Sequence, residues 1–163
     1  MLKKRNYILN IIVLVCLLIF TGCSSTKQVK NEEVKEFTNS VLQSNKKVKD
    51  LKFYFSRPDV RAEVVYDGDL DQEDFENLID EFKKLIDVDF MQKVGDEYNN
   101  GSRPDGFNAD IYVDEKKEES FDYQINTEYN KTNIVNEDPE NIDAYKTWHI
   151  YSEKGKNKEI ELE

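Results

Sequence analysis

The groups from which a catalytic or metal site would have to be built are few in kind: one histidine, two cysteines and 34 acids among 163 residues. His149 offers a general base or a ligand. A metal centre around it would draw its other ligands from carboxylates alone, and its neighbours Tyr145 and Tyr151 favour instead a sheet residue stacked among tyrosines. Asp67, Asp69 and Asp71 have the spacing of the first three ligands of a calcium loop. Gln72 then stands where glycine is required and Leu78 where the bidentate glutamate belongs, so the match fails. Ser44 and Lys47 have S-x-x-K spacing, but no companion motif and no G-x-S-x-G elbow accompanies them. Paired carboxylates would suit glycan hydrolysis, yet with 34 acids pairs arise everywhere and select none. Six glycines, most of them in turns, do not form a phosphate cradle. No metal and no cofactor is expected.

One constellation stands out instead. If Leu51, Phe53, Phe55, Ile111, Val113, Trp148 and Ile150 face a core, the opposite sheet face carries Tyr54, Tyr112, Tyr145, His149 and Tyr151. Exposed rings on an acidic surface stack on sugars or hold cations and cationic peptides. The same rings also serve as cross-strand pairs, and a one-residue slip of register would move each of them to the other face.

The elements that must position these rings follow from periodicity. Val34, Phe37, Val41 and Leu42 recur at helical spacing behind Asn31, which predicts a helix over 32–46 with an asparagine cap. Phe75, Leu78, Ile79, Phe82, Leu85 and Ile86 form the strongest stripe and predict a helix over 72–86. Asp71 stands three residues before Asp74, as in a capping box. Phe90, Met91, Val94 and Tyr98 continue as a second short helix or an extension. Alternation marks strands around Leu51–Phe55 and Val60–Tyr66, joined by the turn Arg57-Pro58-Asp59. Further strands are expected over 109–113, 121–129 and 144–151, with a last one around Ile160 and Leu162. The order α-β-β-α-(α)-β-β-β predicts an α+β fold, an antiparallel sheet of about five strands with two or three helices on one face.

The first 23 residues are of another kind. Lys3, Lys4 and Arg5 precede ten consecutive apolar residues, Ile11 to Phe20, a run short of the roughly 20 residues that a bilayer-spanning helix needs. A basic start, a short apolar run and small residues describe a secretory signal. The run closes Phe20-Thr21-Gly22-Cys23, and here the chain resembles the bacterial lipoprotein precursors, whose lipobox places an aliphatic residue and two small residues before cysteine. Phe20 replaces the family's usual leucine. The resemblance implies cleavage before Cys23 and a diacylglycerol on its thiol, hence a mature protein anchored by lipid on the extracytoplasmic side of the cell membrane. With Cys16 discarded and Cys23 lipidated, no thiol remains for catalysis, metal binding or disulfides.

The chain then divides into a signal (1–22), a lipidated cysteine with a small polar tether (23–31) and one acidic α+β domain (32–163). Removing the signal takes away three cations and no acids, so the net charge moves from −11 to −14. Residues 23–52 carry +3 and residues 53–163 carry −17, which suggests a body held off the membrane beyond a basic stretch. Such acidity excludes nucleic acid as partner, because phosphate binding needs clustered cations. The expected function is a non-catalytic binding or accessory module for a basic peptide or protein; the alternative is an envelope enzyme acting on wall glycan or peptide through carboxylates. Cys23→Ser is expected to release the protein from membranes or leave it as the longer precursor, which fractionation and gel mobility will report.

Overall fold

The computed structural model describes residues 26–115, 120–132, 134–136 and 138–152, and the backbone of 158–160. The expected signal, Cys23, most of the charged turn after Glu115 and the final Leu162 lie outside the described residues.

The three helices among the described residues begin where side chains satisfy the first free backbone donors. Helix α1 (Glu32–Ser44) opens on Asn31, whose side-chain oxygen accepts from the Val34 N–H at 2.9 Å. Helix α2 (Gln72–Phe82) starts in a reciprocal box: Asp71 accepts from the Asp74 N–H at 2.9 Å and Asp74 from the Asp71 N–H at 3.2 Å. Helix α3 (Val88–Tyr98) starts on Asp87, which accepts from the Phe90 N–H at 2.8 Å. Each acid also sits at the positive end of the helix dipole. The α2 stripe extends to Ile86, but the helix tightens after Phe82 through Lys84 N–H to Glu81 C=O and Leu85 N–H to Phe82 C=O. Leu85 and Ile86 stay buried while Asp87 is released to cap α3.

Among the described residues seven strands, β1 (Lys27–Gln28), β2 (Val48–Ser56), β3 (Asp59–Tyr66), β4 (Gly106–Val113), β5 (Tyr123–Glu128), β6 (His149–Ser152) and β7 (Lys158–Ile160), form one sheet in chain order. The α+β architecture is as expected. All neighbours are antiparallel except β3 and β4, which run parallel. Two helices between them explain the exception: the chain leaves β3 at Tyr66, returns along one face in α2 and α3, and enters β4 beside the start of β3.

The helices cover the face bearing the rung Phe53, Ala62, Ala109, Ile125 and Ile150. Phe82 from α2 meets Phe107 at 5.1 Å and Phe53 at 6.4 Å, and Phe37 from α1 meets Phe53 at 5.9 Å between ring centroids. Such pairs add roughly 0.5–1.5 kcal/mol each beyond the area they bury. Helix α3 is held against the loop entering β4 at Gly95, where a Cβ would lie 2.5 Å from the Ser102 carbonyl oxygen. Among the described residues no helix is long and apolar enough to cross a membrane.

The ordered domain begins earlier than composition suggests. Lys27 and Gln28 pair with Phe55 and Tyr54, the Val29 N–H donates to Phe53 C=O at 2.9 Å, and Val29 is 2% exposed. The small polar stretch expected to be a tether up to residue 31 is therefore an edge strand from residue 27. Its lysines point outward around one buried valine.

Asp74 ties three elements together: it accepts from the Tyr66 hydroxyl at 2.7 Å and from the Lys47 ammonium at 2.9 Å, besides capping α2. Burial raises its carboxyl, but the bonds from Tyr66, Lys47 and the Asp71 N–H outweigh it and hold the group below its ordinary value. Asp74→Asn is expected to cost about 1–3 kcal/mol at neutral pH. The wild-type advantage should be complete above the ordinary carboxylate value near pH 4 and vanish as pH falls through the lowered one. Urea unfolding of both proteins over a pH series measures the gap.

Candidate functional site

Strand alternation sends every second side chain to the face away from the helices. One rung across that face reads Tyr54, Arg61, Asn108, Asn126 and His149; the next reads Lys52, Glu63, Asp110, Gln124 and Tyr151. Asp110 is the fixed point of this surface, at 0% exposure. It accepts from the Arg61 Nε and, at 2.7 Å, from the Gln124 amide. Burial pushes its carboxyl up while Gln124 and Arg61 pull it back. Phe121 lines a hollow with Arg61, Asn108 and Gln124, so the chain entering β5 partly roofs this region.

The open part of the face is a trough at one end of the sheet. Backbone bonds run across that end, from Asp105 N–H to Pro58 C=O at 3.2 Å and from Tyr129 N–H to Asp105 C=O at 2.8 Å. A depression of about 290 Å³ is lined there by Asp59, Asp105, Gly106, Asn108, Glu128 and Val135, among others. A second, of about 370 Å³, shares Glu128 and Asn130 with it and continues past Asn126 to His149 and Tyr151. Gly106 makes the first depression possible, because a Cβ at that position would lie 3.2 Å from Asp59 Oδ1. Asp59 accepts from the Asn108 amide at 3.3 Å. Burial raises its carboxyl first, then the charges of Asp105 and Glu128, against the Gly106 N–H and Asn108 that lower it. Among the described residues no lysine or arginine lines the first depression. Its chemistry is carboxylate beside amides; the second depression adds Lys131 and Asp143 to an imidazole and a phenol ring 6.4 Å apart.

Of the five residues expected on this face, Tyr54, Tyr112, His149 and Tyr151 occupy it, and His149 and Tyr151 line the trough. Tyr112 is only 5% exposed and offers no surface to a ligand. Tyr145 must be corrected. Its side chain is 3% exposed, packs on Tyr129 at 5.6 Å and donates its hydroxyl to Pro104 C=O at 2.6 Å. The alternation expected over 144–151 breaks because Ala144 and Tyr145 both have left-handed backbones, φ 57° and 61°. Asp143 drives that turn by accepting from the N–H groups of Lys146 and Thr147 and from the Thr147 hydroxyl. Strand β6 thus begins only at His149, and Trp148 before it packs on Phe107 at 6.0 Å.

Asp59, Asp105 and Glu128 were not singled out from sequence. Alternating polar positions in β3, β4 and β5 signal the face, but their meeting depends on the parallel pair. The other motifs have structural uses. Asp67 pairs with Lys49 and Asp71 caps α2; Ser44 bonds the Val41 carbonyl, while Lys47 turns to Asp74. Among the described residues no three His, Cys, Asp or Glu side chains are placed to hold a metal.

Tyr145→Phe leaves the Pro104 carbonyl buried without its donor and is expected to cost about 1–3 kcal/mol, read as a lowered thermal midpoint with His149 and Tyr151 undisturbed in nuclear magnetic resonance spectra. No family model, curated protein or solved structure matches this chain.

Proposed function

We propose that the protein is a non-catalytic surface module, anchored by lipid on Cys23 outside the cytoplasmic membrane, that holds a basic peptide or a basic patch of another protein in the trough. The observation that carries this function is the gathering of Asp59, Asp105 and Glu128 around a depression that no lysine or arginine among the described residues lines, where burial and then the charges of Asp105 and Glu128 raise the Asp59 carboxyl. A lysine or arginine entering there relieves that repulsion. His149 and Tyr151 extend the site with ring faces suited to stacking on cations. The net charge of −14 on the mature chain adds long-range steering, which acts mainly on the association rate.

A second function is favoured by the same carboxyl. An acid raised by burial beside ionised neighbours is the pattern of a general acid, and an envelope enzyme cutting wall glycan would use one with a second carboxylate as partner.

Calorimetric titration of the full-length protein in micelles separates the two. Lysine- and arginine-rich peptides are expected to bind and acidic ones not, with affinity falling as salt rises. Asp59→Asn and Glu128→Gln should each weaken binding about threefold to tenfold. Affinity should rise with pH as Asp59 ionises through its raised value. Release of soluble fragments from purified cell wall, abolished by Asp59→Asn, would establish the enzyme instead.

A further inference from the structure

The first described residue, Thr26, and the trough lie at the same end of the molecule. Thr26 is hydrogen-bonded to Ser56 at 3.4 Å, beside the turn between β2 and β3. Cys23 is three residues before Thr26, so an extended chain spans at most about 11 Å between them. A lipid on Cys23 therefore brings the Arg57–Pro58 turn close to the bilayer, and the body is not held off on a long basic stretch. Backbone bonds already place Pro58, Asp105 and Tyr129 in a row across this end.

The same end carries the two large apolar side chains that stand out in solvent among the described residues, Ile134 at 65% and Val135 at 72% exposure. Val135 shares a depression with Pro58 and Asp59. Residues on either side of Val135 are tied down: the Asn141 amide donates to the Ile134 carbonyl at 2.7 Å and the Asn130 amide to the Asn136 carbonyl at 3.2 Å. Two apolar side chains are thus held outward by a hydrogen-bonded loop at the end where the anchor attaches. Isolated exposed apolar residues need no explanation, but an adjacent pair at the membrane-reaching end does.

Charge at this end is mixed: Lys27, Arg57 and Lys131 are exposed there beside the carboxylates of Asp59, Asp105 and Glu128. Among the described residues no salt bridge ties up Lys27 or Arg57, which leaves them to meet headgroups. The opposite end presents Asp67, Asp69, Asp71, Glu73, Asp114 and Glu115, the last residues of β3 and β4 lying about 25 Å from their first. Lys47 and Lys49 at that far end are paired, with Asp74 and Asp67.

We propose that the Arg57–Pro58 turn and the Ile134–Val135 loop form a seating surface for the bilayer that holds the anchor, an inference that rests on lipidation of Cys23. Ile134 and Val135 enter the boundary between headgroups and acyl chains, and Lys27, Arg57 and Lys131 meet anionic headgroups. Seated this way, the domain stands upright, its acidic end outward and its trough opening at the membrane surface. The partner it takes is then itself close to the membrane.

The test uses the mature lipidated protein in vesicles of phosphatidylglycerol and phosphatidylethanolamine. Its chain has no free thiol, so a nitroxide can be placed on a single introduced cysteine, Val135→Cys or, as a second position, Ile134→Cys, with Asp69→Cys as the far-end control. Flotation comes first: failure to float with the vesicles overturns the anchor, and the seating with it. For protein that floats, labels at 134 and 135 are expected to lose accessibility to an aqueous nickel chelate and gain accessibility to oxygen relative to lipid-free micellar protein, while the label at 69 shows neither change. Equal aqueous accessibility at all three positions in floated protein overturns the seating and leaves the anchor standing. Protection that grows with protein-to-lipid ratio also overturns it, in favour of a contact between two copies of the chain. Unchanged circular dichroism and Trp148 emission show that each labelled chain is folded.

Discussion

Phe82 descends from α2 between Phe53 of β2 and Phe107 of β4, and the rest of the molecule depends on that contact. It clamps the crossover helices onto the sheet across β3, whose contribution to the central rung is the small Ala62 next to Ala109 of β4. With α2 seated there, the chain leaves α3 at the far side of the helical layer and has one way back, into β4 parallel to β3. The aromatic cluster is thus the reason that the start of β4 lies beside the start of β3. Gly95 in α3, pressed against Ser102 and Arg103, keeps the return path short.

The trough follows from that pairing. Asp59 begins β3, Gly106 begins β4, and Glu128 ends β5 opposite Gly106. Parallel β3 and β4 with antiparallel β5 bring these three termini to one end, where the sheet's last rung has little side-chain cover. An all-antiparallel sheet would have put the end of β4 there and scattered the carboxylates. Burial and repulsion at Asp59 are therefore consequences of topology more than of composition. Further along the same face, Asp110 is paired with the Arg61 guanidinium and bonded by Gln124, which shows how this protein treats an acid that it uses for structure. Asp59 has amide donors alone, and that contrast marks the trough.

Much of the fold could be read from short stretches. The caps at Asn31 and Asp71, the stripe from Phe75 to Ile86 and the alternation from Leu51 to Tyr66 act within a few residues of themselves, and the structure reproduces each. The site was legible only in part. His149 and Tyr151 are where period-two alternation puts them. Tyr145 is not, because Asp143 gathers three nearby donors and turns the backbone left-handed for two residues, a local competition that hydrophobic periodicity does not register. The edge strand at Lys27 was hidden for a different reason: a single buried valine among polar residues has no period.

The sequence by itself determined the elements, the face of each that is apolar, the charge imbalance between residues 23–52 and 53–163 and, through the resemblance at Phe20–Cys23, the expectation of a lipid anchor. These are properties of neighbouring residues, and propensity, capping and alternation act at that range. Tertiary structure alone decided that β4 runs parallel to β3, that Asp59, Asp105 and Glu128 share one depression, and that Ile134 and Val135 stand at the same end as Thr26. Those juxtapositions join residues from about 20 to more than 100 positions apart. They arise from burying one apolar face under three helices, a requirement on the whole chain that no local pattern contains.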